Sequence, residues 1–267
     1  IGTYTTTVTA TSTDRIKLVC TNNPIGSVSS ISIKEVTGDQ PRLNYDINAN
    51  GQVQSCPSLL LEPASTNIIT YSEDFSSYSA VLGIITESGF TDPSGTTTAY
   101  KLSNFAINSS RFDYNTPTAA VNGTTYTYSA YYKGSGTIRI NCSTSTGVGG
   151  SGEKEIVLTN EWKREEISFT AVNPTGNVKT HTAITRTANN NAIVYLAFTQ
   201  IEALSYATSY IPTNGASQTR AAETCNDAGT ASTFNSTEGV LYAEISALAN
   251  DGTNRQISIS NGSTSQR

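Results

Sequence analysis

Between residues 63 and 203 apolar and polar positions alternate in short runs that recur at close intervals. "TTYTYSAYYKG" sets Tyr126, Tyr128 and Ala130 on one side, and Thr127, Ser129 and Tyr131 on the other. "EWKREEISFTA" likewise opposes Trp162, Arg164, Glu166 and Ser168 to Lys163, Glu165, Ile167 and Phe169. A period of two puts successive side chains on opposite faces of a strand. The same reading gives strands in "TNIITYS", "VLGIITES", "TTTAYKLS", "SSRFDYN", "GTIRINCS", "KEIVLT", "NVKTHTAIT" and "NAIVYLAFTQIEA". So many short strands with no helical period predict an all-β, antiparallel sandwich.

The pattern also divides the chain. Residues 1–36 carry "TYTTTVTAT", "RIKLVC" and "SSISIKEV", which read as the closing strands of a preceding β-module. So few residues bury too little surface to fold alone. Residues 37–62 are rich in Gly, Pro, Asn and Asp and read as a connector, although "CPSLLLEP" predicts that it docks on a neighbouring surface. Residues 63–224 form the main sandwich. Residues 225–267 open a second β-module, since "GVLYAEISAL" alternates Val240, Tyr242, Glu244 and Ser246 against Leu241, Ala243, Ile245 and Ala247.

Composition narrows the function. Charged residues are only 14%, and uncharged Thr, Ser and Asn supply the polarity, with 14 Tyr and 20 Gly. Thr and Tyr suit half-buried strands and Gly suits tight turns, whereas disorder carries high net charge and few aromatics. The net charge is −5 with a pI near 4.9, and no basic run exceeds two residues. Nucleic-acid binding by phosphate neutralisation is therefore not expected. The longest apolar run, "AIVYLAF" at Ala192–Phe198, is far shorter than the ~20 residues of a membrane span. No charged segment followed by an apolar one marks a signal peptide. The absence of methionine, even at position 1, suggests a piece of a longer chain. Cys20, Cys56, Cys142 and Cys225 form no C-x-x-C pair, so free thiols are expected over a zinc or redox motif.

Four segments in order carry a resemblance: "TDPSGTTTAYKL", "VNGTTYTYSAYYKGSG", "EWKREEISFTA" and the closing "QIEALSYATSYIPTNGASQTRAAET", preceded by "LLLEPASTNIITYSEDFSSY". Together, over Leu59 to Glu223, they resemble the jelly-roll carbohydrate-binding-like modules of bacteriophage tail fibres and other virion proteins. "FNSTEGVLYAEISAL" resembles the opening of a concanavalin A-like (laminin-G-like) module. The resemblance implies β-sandwich modules in series in a virion fibre attached to tail or capsid, exposed on the virion surface. It also implies other virion proteins as partners, a homo-oligomer with a trimer favoured, and a host-surface glycan as ligand. An architectural spacer without glycan binding, and an accessory module of a secreted polysaccharide-degrading enzyme, are the alternatives. The chain departs from the pattern at Phe198 and Thr199, where those modules carry Gly and Ala.

A sugar site on such a sandwich needs flat aromatic faces and hydrogen-bonding groups. Tyr131, Tyr132 and the lone Trp162 are the aromatic candidates, against core packing as the plainer role. His181 is the lone histidine and has no nucleophile motif beside it. The pairs Glu73–Asp74 and Glu165–Glu166 are strand neighbours that face opposite ways, unsuited to flanking one glycosidic bond. No catalytic residue and no enzymatic activity are expected. No cofactor is expected either, with a structural calcium held by Glu73, Asp74 and Glu202 as the alternative, since calcium takes six to eight oxygens.

The closing stretch reads as a structural clasp. Tyr206 and Tyr210 pin the outgoing chain to the sandwich edge, Pro212 stops the strand because it lacks a donor, and Arg220 is an ion-pair candidate. Tyr210→Ala is expected to lower the melting temperature, and an unchanged calorimetric melt would make the clasp decorative.

Overall fold

The computed structural model describes residues 42–44, 58–105, 110–184 and 191–223, together with Ile245 and Gly252. The strands expected within residues 1–36, nearly all of the concanavalin A-like opening, and Cys20, Cys56 and Cys225 lie outside the described residues.

Among the described residues fourteen strands follow one another, with a single 3-10 turn at Phe75–Ser77. β1 (Arg42–Asn44) pairs antiparallel with β2 (Ser58–Leu60), within the stretch read as a connector. β3 (Ser65–Asn67) begins the sandwich. Next come β4 (Ser79–Val81), β5 (Ile85–Phe90), β6 (Ala99–Ser103), β7 (Arg111–Ala119) and β8 (Thr125–Ser135). β9 (Thr137–Thr144), β10 (Ser151–Val157), β11 (Lys163–Thr170), β12 (Asn177–Ile184), β13 (Ile193–Glu202) and β14 (Gln218–Arg220) complete the series. One five-stranded sheet runs β10-β9-β12-β7-β4 and the other β11-β8-β13-β6-β5, every pair antiparallel. The two pack as a jelly-roll sandwich, the architecture the alternation predicts.

"VLGIITES" is not one strand. Leu82 and Gly83 take φ of 58° and 84°, a left-handed pair that carries the chain from β4 in the first sheet to β5 in the second. Gly83 adopts that conformation freely, and Leu82 only at a cost of about 1–2 kcal/mol. Gly134 in β8 is required for a different reason: at φ 144° a Cβ there would come within 1.9 Å of the Ile193 carbonyl oxygen.

The core fills the space between the sheets. Phe112, Tyr114, Ile138, Ile140, Cys142 and Val178 point in from the first sheet, facing Tyr126, Tyr128, Tyr132, Phe169, Leu196 and Ile201 from the second. Burying each large side chain stabilises the fold by about 1.5–3 kcal/mol. Tyrosines can serve as core because each buried phenol finds a partner. The Tyr128 and Tyr132 hydroxyls share a hydrogen bond of 2.9 Å, and Tyr132 shares another of 2.9 Å with Thr182. Burial pushes the Tyr128 phenol up to about 12 and raises that of Tyr132 well above its ordinary value. Cys142 is a buried free thiol, raised by the same desolvation.

One turn is built on a buried carboxylate. Asp92 accepts from the backbone N–H groups of Ser94, Thr96 and Thr98 and from the three hydroxyls of the same residues. Burial alone would raise its pKa; the bonds from Thr96, Ser94 and Thr98 outweigh that and hold it well below the usual range.

The largest buried polar cluster lies where the chain enters and leaves the sandwich. Glu202, fully buried at the end of β13, accepts at Oε1 from Ser65 Oγ (2.6 Å) and from Thr208 Oγ1, and at Oε2 from Thr208 N (2.9 Å) and Gln200 Nε2 (2.6 Å). Asn67 accepts from Ile69 N and Ile201 N and donates to the carbonyls of Thr199 and Ile211. The segment that enters and the segment that leaves are thereby both tied to β13. Hydrogen bonds to a charged group are worth about 1.5–3 kcal/mol each, and a buried partner left unpaired costs about 1–3. Glu202→Gln replaces one acceptor by a donor facing donors. It is expected to cost about 2–4 kcal/mol, lowering the melting temperature by roughly 5–15 °C. Differential scanning calorimetry checks this, and a shift under about 2 °C would show that the cluster is dispensable.

Candidate functional site

Each sheet has an outer face, and the expected site residues divide among the core and those faces. Tyr132 belongs to the core: it is 2% exposed and its phenol is bonded inward, so it cannot stack on a ligand. Tyr131, its neighbour on β8, points to the opposite side and is half-buried on the outer face of the second sheet, as is Trp162. Arg164 lies over the Tyr131 ring at 6.0 Å and Lys133 over the Trp162 ring at 6.0 Å.

The three carboxylates expected as calcium ligands do not converge. Asp74 is exposed and caps the 3-10 turn by accepting from Ser76 N. Glu73 accepts from the Tyr210 hydroxyl at 3.0 Å. Glu202 is spent on the four donors described above. Among the described residues, no group of three His, Cys, Asp or Glu side chains is placed to hold a metal.

The closing stretch lies across β13 and the incoming chain. Tyr210 stacks on Phe198 at 4.8 Å and its hydroxyl shares a hydrogen bond of 2.6 Å with Ser72 Oγ. Arg220 pairs with the buried Glu62 at 2.7 Å and donates to the Ser209 carbonyl, while Pro212 is exposed and Tyr206 half-buried. Beside β3 a cavity of about 200 Å³ is lined by Ala64, Ile68, Ala203, Leu204 and hydroxyl-bearing neighbours. No charged side chain lines it, so it offers little to orient a polar ligand.

The concentration of unused polar chemistry lies elsewhere, on the outer face of the first sheet. The register aligns Glu153 (β10) with Asn141 (β9), Asn141 with His181 (β12), His181 with Asp113 (β7), and Asp113 with Ser79 (β4). At about 4.8 Å per strand this straight row is about 19 Å long. Arg139, Lys179 and Arg111 flank it, each two residues along its strand from a member of the row. Asp113 is 5% exposed and its Oδ2 is held by Arg111 Nε (2.9 Å) and Lys179 Nζ (2.8 Å). Its Oδ1 has no partner. Neither do Asn141 Oδ1, His181 Nε2 or Arg139 Nε, all four atoms being buried.

Native structures leave few buried polar atoms unpaired, and each costs about 1–3 kcal/mol. Four together on one face, two acceptors among them, mark the row as a cluster whose hydrogen-bonding capacity is not met from within the sandwich. The imidazole is held neutral here. Burial pushes His181 down to about 4; the nearby Asp113 carboxylate opposes this shift, while Arg139, Lys179 and Arg111 reinforce it.

The chain has a polar phase in β7, β9 and β12 that marks these residues individually as outward-facing. Which of them share a row depends on cross-strand register, and the aromatic-rich strand β8 lies in the other sheet.

No family model and no curated protein matches the chain. Among solved structures it is similar to the enzymatically active domain of tailspike protein 4 of bacteriophage CBA120, at 10% identity and a TM-score of 0.38 over 51% of this chain and 21% of that one. It is similar to the N-terminal CBM22-1–GH10 modules of Clostridium thermocellum xylanase 10B at 15% identity and a TM-score of 0.40, over 54% of this chain and 29% of that one. The CBM22-1 xylan-binding domain of Paenibacillus barcinonensis Xyn10C gives 11% identity and a TM-score of 0.43, over 55% of this chain and 99% of that domain. The chain thus spans between a fifth and a third of the first two. At these scores the likenesses carry no argument about its ligand.

Because His181 is the lone histidine, its proton NMR titration is unambiguous. Its midpoint is expected near 4, and one near 6.5 would show the imidazole to be solvated. A base whose folded pKa is depressed leaves the unfolded chain binding more protons between the two values. Stability from this residue is therefore full above about pH 6.5 and is lost as pH falls toward about 4, by on the order of 3 kcal/mol.

Proposed function

We propose that this chain is a non-catalytic glycan-binding part of a bacteriophage fibre, whose sandwich holds a host-surface saccharide on the outer face of its first sheet. The observation that carries the binding role is the row Glu153–Asn141–His181–Asp113–Ser79 with its four buried unpartnered polar atoms. Amide, carboxylate and imidazole groups in one line suit vicinal hydroxyls, each of which can donate to an acceptor and accept from a donor. The virion setting and a homo-oligomeric fibre rest on the ordered motifs of the sequence. In such a fibre, weak saccharide contacts repeated over several copies gain strength through effective concentration, without any new contact.

A purely architectural role is the second reading. It is favoured by the buried ties of Glu62 and Glu202, which spend their carboxylates on fastening the incoming and outgoing chain.

The test is a glycan array of bacterial surface oligosaccharides, followed by titration calorimetry of the best binder against the full chain. Saturable binding weakened about tenfold or more by Asn141→Ala is expected, equivalent to about 1.4 kcal/mol or more. Asn141 Oδ1 makes no internal bond, so this change removes no internal hydrogen bond at that atom. Absence of saturable binding to any bacterial glycan would favour the architectural role.

A further inference from the structure

The outer face of the second sheet has a pattern of its own. Tyr131 and Lys133 alternate with core Ala130 and Tyr132 on β8; Tyr195 stands between core Val194 and Leu196 on β13. Lys101 adjoins core Leu102 on β6, and Arg164 lies opposite Tyr131. The register sets Lys133 beside Tyr195 and Tyr195 beside Lys101, with Trp162 on the far side of Lys133. Aromatic and cationic side chains therefore alternate both across the strands and along them. Lys101 lies 5.9 Å from the centre of Phe90, whose ring meets Tyr195 edge-on at 5.2 Å.

Three features set this checkerboard apart from an ordinary solvated face. Outside the strap that seals Glu202, its cations outnumber its acids: Lys101, Lys133 and Arg164 stand against Glu87, which is paired with Lys101, and Glu166, which accepts from Ala207 N. That inverts locally the sign of a chain whose net charge is −5. Arg164 donates to Ser129 Oγ at 2.9 Å, but its Nε is buried without a partner. Phe198 extends the aromatic floor, stacking on Tyr210 and meeting Tyr131 edge-on at 5.8 Å, with its backbone at φ 54° inside a β-bulge. A bulky residue held there costs about 1–3 kcal/mol, a strain that concentrates at ligand clamps.

We propose that this face is a second saccharide site, specific for polysaccharides that carry a carboxylate on the sugar ring. Flat aromatic faces take the C–H faces of pyranose rings, and the interleaved ammonium and guanidinium groups take the carboxylates. A neutral sugar would cover these cations and leave them unpaired, which is costly. A single-stranded nucleic acid also offers rings and anions, but an acidic protein with three cations on this face gains little from phosphate neutralisation. The site is independent of the row on the first sheet and stands or falls separately.

The experiment uses the full chain and polygalacturonate in affinity electrophoresis and titration calorimetry. Binding is expected at about 0.05 M salt and should be largely lost at about 0.5 M, where surface charges are screened. The methyl-esterified polymer, with the same rings and no charge, is expected to bind at least about tenfold more weakly, and Lys133→Gln and Arg164→Gln likewise. Lys133→Gln changes a half-buried surface side chain, so a folding defect does not obscure the result. Asn141→Ala is expected to leave polygalacturonate binding unchanged. Equal binding of the esterified polymer, indifference to Lys133→Gln, loss on Asn141→Ala, or tighter binding of oligo-dT would each overturn the proposal.

Discussion

A carboxylate sealed from water must be given donors, and the way Glu202 obtains them organises the rest of the sandwich. It sits at the end of the central strand of the second sheet and draws Ser65 from the incoming chain and Thr208 from the outgoing one. Asn67 and Gln200 repeat the pattern a turn of the pleat away, with Gln200 Oε1 accepting from Ile211 N at 2.7 Å. The incoming β3 and the irregular stretch around Thr208 are thereby held against β13 and β8. The consequence reaches the sheet itself: Thr127 and Ser129, the outward phase of β8, are as buried as the inward phase, and Thr127 donates to the Leu204 carbonyl. The strap covers one end of the second sheet's outer face and leaves the Tyr131–Trp162 end partly open.

With that end closed, the two outer faces differ in chemistry. The first sheet carries, in its central row, closely packed hydrogen-bonding groups without aromatics; the second presents rings interleaved with cations. Both arise from the same device, a period of two whose inward phase is spent on Tyr, Phe, Ile and Leu. The outward phase is then free to vary without disturbing the core.

Much of this was legible in the chain. The runs from "TTTAYKLS" to "NAIVYLAFTQIEA" mark strands within a few residues, because alternation is a local property. "VLGIITES" misleads because only the positive φ at Leu82 and Gly83 shows that it changes sheets. Tyr131 and Tyr132 cannot both face a ligand, since strand neighbours point apart, and the shared phase of Tyr126, Tyr128 and Tyr132 assigns the latter to the core. Glu202 is different. Nothing local distinguishes a carboxylate that will be buried from one that will be solvated, because its donors come from residues 65 and 208, distant in sequence. The row through His181 escapes for the same reason: its members lie on five strands and meet only through register.

The seam between Glu62 and Glu223 has a mechanical meaning. β3 and β14 run antiparallel, Glu223 N donates to the Glu62 carbonyl, and Glu62 N donates back to the Glu223 carboxylate. The chain therefore enters and leaves the sandwich at one seam. Tension along the polypeptide would pass across that seam and peel its bonds one pair at a time, the geometry that yields at low force. The folded core would stay out of the line of pull until the seam had opened. A domain closed by such a seam holds in reserve all the contour between residues 62 and 223.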